Sequence, residues 1–258
     1  STDDLLKDGT CDFTATSTVT LTERILEPET FQVNLQLCKA DFRSDWDAIE
    51  MGYSAFDELP KSFADFLIAH VAAKVAQKNE TNIWSGVDAN AGEFDGFETL
   101  LTTDADLPAA QEVTGTTVTA ANVVEELGKV VDAIPNRLYG EEGLRIYVSQ
   151  NIYRLYLRAQ ATLGFLDRFN NQDMGDVMFD GVPLMVCNGM SDDVMICTTK
   201  DNFYFGTGLM SDHNEVKVLD MADLDGSQNV RVVMRLTAAV QYAFSEDVVT
   251  YGIVNAAN

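Results

Sequence analysis

Apolar and polar positions along the chain alternate in two different rhythms, and each rhythm predicts a different kind of element. From residue 14 the sequence TATSTVTLTERIL alternates, with Val19 and Leu21 on one side. After Glu27-Pro28-Glu29-Thr30 it alternates again, with Phe31, Val33, Leu35 and Leu37 at period two. Alternation turns successive side chains to opposite faces, so the two runs around a proline-containing turn predict a long β-hairpin over 14–37. Residues 60–78 change rhythm. Phe63, Phe66, Leu67, His70, Val71, Lys74 and Val75 recur at three- and four-residue spacing, which predicts a helix with one apolar stripe. Ser62 with Asp65 three residues later is a start signal close to a capping box. On that stripe His70 reads as a packed or hydrogen-bonded helix histidine.

Residues 86–118 are rich in Gly, Asp, Ala and Thr and lack helical periodicity, so a surface loop is expected. Thr119 opens a second helix with Val123, Leu127, Val130, Val131 and Ile134 on one face, stopped by Pro135. A strand follows over 145–148, and Ser149 caps a helix to residue 160 that carries Arg154 and Arg158 at i,i+4. Val182, Leu184 and Val186 alternate, with Pro183 pointing to an edge position. Val194-Met195-Ile196-Cys197 is the short apolar run of a strand buried on both faces. With Asn188-Gly189 opening the turn between them, these two read as a hairpin, followed by an aromatic strand at 202–208. Residues 216–218, 230–236, 240–244 and 248–254 read as further strands.

The chain is 258 residues long, enough for one large domain or two interleaved ones. Its formal charge is −24, from 41 acidic and 17 basic residues. Binding a phosphate backbone needs clustered Lys and Arg, so the balance argues against nucleic-acid binding. No apolar run is long enough to span a membrane. The acidic N-terminus, STDDLLKDGT, lacks the basic-then-apolar pattern of a signal peptide.

Chemistry-bearing residues are sparse or scattered. Cys11, Cys38, Cys187 and Cys197 show no paired spacing, and with only His70 and His213 no zinc site is expected. Cys187 and Cys197 face each other if the hairpin forms, and they read as reduced, packed thiols. Asp88, Glu93 and Asp95 in a glycine-rich loop, and Asp223-x-Asp225-Gly226, fall short of a calcium-loop pattern. Gly128-Lys129 sits in no phosphate-loop frame. No catalytic, cofactor or metal residue is assigned. A two-carboxylate hydrolase of acidic, halophilic type stays open as the alternative from another class, because spatial pairing is invisible in sequence.

The order of these elements carries a resemblance. A strand–Ser–helix passage at 147–153, then Gly181-Val182-Pro183-Leu184, then Asn202 to Leu209 with its Phe-Gly-Thr, then paired strands to the C-terminus, resembles the major capsid protein of tailed double-stranded DNA phages. That family has the Hong Kong 97 fold, shared with encapsulins. The resemblance implies an α+β chain with an N-terminal arm (1–13) and an E-loop hairpin with its return (14–58). It implies a discontinuous peripheral (P) domain with a long spine helix (59–118, completed by 210–258) and an axial (A) domain (119–209). It also implies hexamers and pentamers of this chain in an icosahedral head, assembled in the host cytoplasm, with an encapsulin-type compartment as the alternative. Portal, scaffold, decoration proteins and a maturation protease are the implied partners. Ser1 fits cleavage by such a protease or methionine removal. The E-loop would place Val19, Leu21, Glu23, Arg24, Phe31, Val33 and Leu35 against a neighbouring subunit, or fold onto its own domain. Phe63, Phe66, Leu67, Val71 and Val75 would seat the spine helix. The family's lysine–asparagine cross-link is not implied, since 14–37 contains no lysine.

Overall fold

The computed structural model describes residues 23–38, 61–164, 177–209 and 215–257; the side chains of 61–63 and of 223 are outside that description. Two sheets and a long helix organise these residues. The four-stranded sheet is built on β9 (Asn229–Tyr242). On one side it pairs antiparallel with β1 (Glu29–Cys38), and on the other with β7 (Phe203–Thr207) and β8 (Val216–Asp220), which lie end to end. The six-stranded sheet has the order β2 (Glu112–Val113), β10 (Val249–Tyr251), β6 (Met195–Thr199), β3 (Leu144–Ser149), β5 (Val182–Cys187), β4 (Met178–Phe179).

The long helix α1 (Lys61–Ser85) runs past residue 78, where the apolar stripe was expected to end, for about 37 Å in all. Ile83 and Trp84 keep its packing face apolar to the last turn, and it stops at Gly86. A side chain on Gly86 would collide with the Phe94 and Asn82 carbonyls, and the Gly96 amide donates to the Gly86 carbonyl at 3.0 Å. Leu67 and Val71 are buried against Val232 of β9, with Val33 and Leu37 of β1 packed around them. Phe66 and His70 leave the predicted stripe. Both are exposed, Phe66 by 58%, with their rings stacked at 6.0 Å.

The short helix α2 (Phe97–Leu101) sits in the stretch expected to be a surface loop, and Phe94, Phe97, Leu101 and Leu107 are core residues. Single apolar residues spaced by polar ones escape periodicity, because only tertiary contact buries them. Trp84 gathers three other rings: Phe97 at 5.5 Å, Tyr147 of β3 at 5.4 Å and Phe203 of β7 at 5.8 Å. The cluster joins both sheets and both helices. At the same junction the Ser85 hydroxyl donates to the Gly189 carbonyl at 2.9 Å, and any side chain at Gly189 would strike the Glu80 backbone.

On the opposite face of the six-stranded sheet lie α3 (Val123–Asp132) and α4 (Gln150–Thr162). Val123, Leu127, Val130 and Val131 face the sheet as the spacing required, with Ile152, Tyr156 and Ala159 beside them. The Ser149 hydroxyl accepts from the Ile152 amide at 3.3 Å, the cap expected from sequence. Strand β6 is buried on both faces, also as expected.

Strand neighbours depart from the local reading in three places. No hairpin joins 182–187 to 195–199, because β3 lies between them, parallel to β5 and antiparallel to β6. Cys187 is therefore opposite Ser149 and Cys197 opposite Ile146, and the two thiols do not face each other. The strands expected at 230–236 and 240–244 are one continuous strand, β9. Finally, β10 joins the six-stranded sheet rather than the sheet under α1, while β7 joins the four-stranded one.

The turn expected near residues 27–30 is also absent. Arg24 meets Ser245, the Ile25 carbonyl accepts from Gln241, Leu26 covers Gly206 (itself opposite Ala239), and Glu29 pairs with Ala238. Residues 24–38 thus track β9 from its C-terminal end toward Asn229 without reversing. The alternation of 31–37 did predict a strand, but its partner lies about 200 residues away in sequence. The first alternating run, 14–21, lies outside the described residues.

Truncating Trp84 to Ala removes the shared ring of the junction and is expected to cost about 3–5 kcal/mol. Phe66→Ala, on the solvent side of the same helix, should change stability by less than about 0.5 kcal/mol. Denaturant unfolding of the two variants side by side checks the contrast.

Candidate functional site

No cluster of acids, bases and nucleophiles converges on a deep cavity among the described residues. A concavity among the described residues, lined by Arg137, Leu138, Glu141 and Phe244, is shallow, and its arginine is occupied by Glu246 at 3.4 Å and Asp247 at 2.7 Å. Among the described residues no group of three or more His, Cys, Asp or Glu side chains is placed to hold a metal ion. Asp88, Glu93 and Asp95 are used locally instead. Glu93 pairs with Lys78 and accepts from Asn90 and the Val87 amide, which lowers its carboxyl to about 2. Asp95 accepts from the Asp88 amide at 2.9 Å. The Cys187 and Cys197 thiols are buried, and burial pushes both up to about 12, far from a reactive thiolate.

What the structure does build are anchors and faces. Arg24 donates to Asp104 at 2.8 Å and to the Ser245 hydroxyl at 2.7 Å, while its guanidinium lies 4.5 Å from the centre of the Tyr242 ring. The Tyr242 hydroxyl donates to the same Asp104 carboxylate at 2.5 Å. Burial of Asp104 opposes its ionisation, but the bonds from Tyr242, the Asp106 amide and Arg24, with the charge of Arg24, hold its carboxyl below the usual range. Asn255 donates to the Asp104 carbonyl at 2.7 Å, so one aspartate ties the segment before β1 to β9 and to the C-terminal tail. A second buried network joins α3 to β10. There the Tyr251 hydroxyl donates to Glu126 at 2.8 Å, and Lys129 closes over the same carboxylate at 2.9 Å.

The residues expected at a subunit contact fall into four groups. Phe31 and Val33 turn inward to this chain's own core, Phe31 against the Phe94 ring at 5.9 Å. Arg24 is held by its own Asp104. Glu23 is exposed and Leu35 is 43% exposed. Val19 and Leu21 lie outside the described residues, as does the Phe63 side chain. Of the spine residues, Leu67 and Val71 are buried and Val75 is partly buried. The Arg24–Asp104–Tyr242 anchor had no sequence signal, because its members are separated by 80 and 138 residues.

No family model matches the chain, and no curated protein matches its sequence. Solved structures do match in fold. A chain of the satellite phage P4 procapsid, solved with its size determination (Sid) protein, superposes with a TM-score of 0.58 at 11% identity, over 95% of this chain and 76% of that one. The capsid of the native GTA particle gives 0.56 at 13% identity, over 96% and 82%. The SrpI encapsulin complex of Synechococcus elongatus gives 0.54 at 10% identity, over 88% and 74%. The stability of Arg24's anchor is directly measurable: Arg24→Ala should cost about 1.5–3 kcal/mol in denaturant unfolding. Because the folded carboxyl of Asp104 sits below the ordinary 3.8, its contribution is present above that value and lost as pH falls below it. The gap between wild type and Arg24→Ala should therefore narrow in acid. This chain has the mixed α+β fold of phage capsid shell proteins.

Proposed function

We propose that this chain is a structural shell subunit, many copies of which tile an icosahedral phage head as hexamers and pentamers around double-stranded DNA. The observation that carries this reading is the fold likeness to the P4 procapsid chain over 95% of the sequence. In this reading the six-stranded sheet with α3 and α4 acts as the axial domain. The four-stranded sheet under α1 acts as the peripheral domain, with α1 as its spine. Repetition supplies affinity, since each weak contact is multiplied by many neighbours. The charge of −24 suits a container wall, because it avoids adhesion to the polyanion inside. Portal, scaffold, decoration proteins and a maturation protease are the partners such a shell would meet. Val19, Leu21, Glu23 and the exposed Leu35 belong to the proposed contacts with neighbouring copies.

The encapsulin likeness favours a second reading, a compartment shell without packaged DNA. Negative-stain microscopy of the purified protein separates the readings. Large heads support the first and small uniform cages the second, whereas single particles alone defeat both. Charge makes a further prediction. Copies at −24 repel one another when packed edge to edge, and mobile ions screen that repulsion over about 8 Å. Adding magnesium should strengthen assembly, and light scattering that stays flat or falls on titration counts against the shell reading.

A further inference from the structure

The face of the four-stranded sheet that points away from α1 carries cations on a chain whose formal charge is −24. Alternation buries Val230, Val232, Met234 and Leu236 of β9 and sends Arg231 and Arg235 outward. Register places Gln36 beside Arg231 and Gln32 beside Arg235 on β1. On β8, Lys217 stands opposite Val233, diagonally between the two arginines. Three cations thus share one patch, although the whole chain has 17 among 41 acids. Strands β1 and β9 together contain a single acid, Glu29, and it lies on the inward side. Among the described residues, Glu215 at one corner pairs with Lys217 at 3.1 Å, and Asp225 lies near Arg231 beyond the end of β8. Arg231 donates to Gln36 at 3.1 Å, a neutral partner that leaves its charge in place.

Like charges on neighbouring strands are unfavourable by themselves. A sheet face that keeps them exposed, flanked by the amides of Gln32, Asn34 and Gln36, is matched to an acceptor-rich, negative surface. We infer that this face docks a carboxylate-bearing surface of a second copy of this chain. The argument is charge complementarity. Every other copy brings 41 acids, and contact here replaces acid–acid repulsion with cation–carboxylate pairing. Duplex DNA is the less favoured occupant. Three cations displace few counterions, and the remaining charge of the molecule repels a polyanion at longer range. The inference rests on the shell reading in that copies must meet, but it names the face and its chemistry.

The test compares wild type with Arg231→Glu/Arg235→Glu and with the milder Arg235→Gln. These side chains point outward, so melting temperatures should stay within a degree or two of wild type. Assembly yield should fall about tenfold or more in the double variant and less in Arg235→Gln. Carbodiimide coupling, which joins a lysine amine to a carboxylate with loss of water, should link Lys217 to an acid on another copy. Normal shells from the folded double variant overturn the inference and leave the shell reading standing. If wild type forms no shells, the shell reading fails, and the coupling decides alone: a Lys217 link to another copy supports this face, and a link only to Glu215 overturns it. Duplex DNA retained by wild type and released by the double variant also overturns it, with nucleic acid as the occupant.

Discussion

The packing of Trp84 against Phe97, Tyr147 and Phe203 is the contact on which the rest of the architecture depends. Each ring comes from a different element, so the four cannot meet unless α1, α2, β3 and β7 are all in place. That requirement explains why α1 continues to Ser85 and why its end is surrounded by glycines. Gly86, Gly96 and Gly189 let backbone come within a distance that any side chain would block. Close approach there joins the two sheets to one helix end.

Buried polar groups among the described residues hold the fold together. Cys187 and Cys197 are buried and protonated, and the buried carboxylates are spent on anchors: Asp104 on Arg24 and Tyr242, Glu126 on Tyr251 and Lys129. Removing one partner of such a network leaves a desolvated charge behind, so these groups hold segments in place. Asp104 does this for the passage that leads into β1, and so sets where the chain enters the four-stranded sheet. Arg231, Arg235 and Lys217 make one sheet face cationic on a chain of formal charge −24.

Local rhythm determined a large part of this protein. The helix stripe at 67, 71 and 75, the buried face of α3, the Ser149 cap and the two-sided burial of β6 all follow from side-chain spacing along a few turns or residues, and all appear in the fold. The order of those elements also carried the likeness to capsid proteins. Composition alone determined the acidic character and argued against a nucleic-acid binder.

Tertiary structure decided who pairs with whom. The alternation of 31–37 specifies a strand but not its partner, because the hydrogen-bonding edge is the same whatever strand arrives. Here β9 takes it, so Phe31 and Val33 face the chain's own core. For the same reason β3 slips between β5 and β6, and the turn at Asn188-Gly189 serves α1 rather than a hairpin. Isolated core residues such as Phe94 and Leu107, the Arg24–Asp104–Tyr242 anchor and the juxtaposition of Lys217 with Arg231 and Arg235 depend on contacts made across tens to hundreds of residues. Sequence spacing holds no record of such contacts, since their energy arises only when distant segments exclude water together.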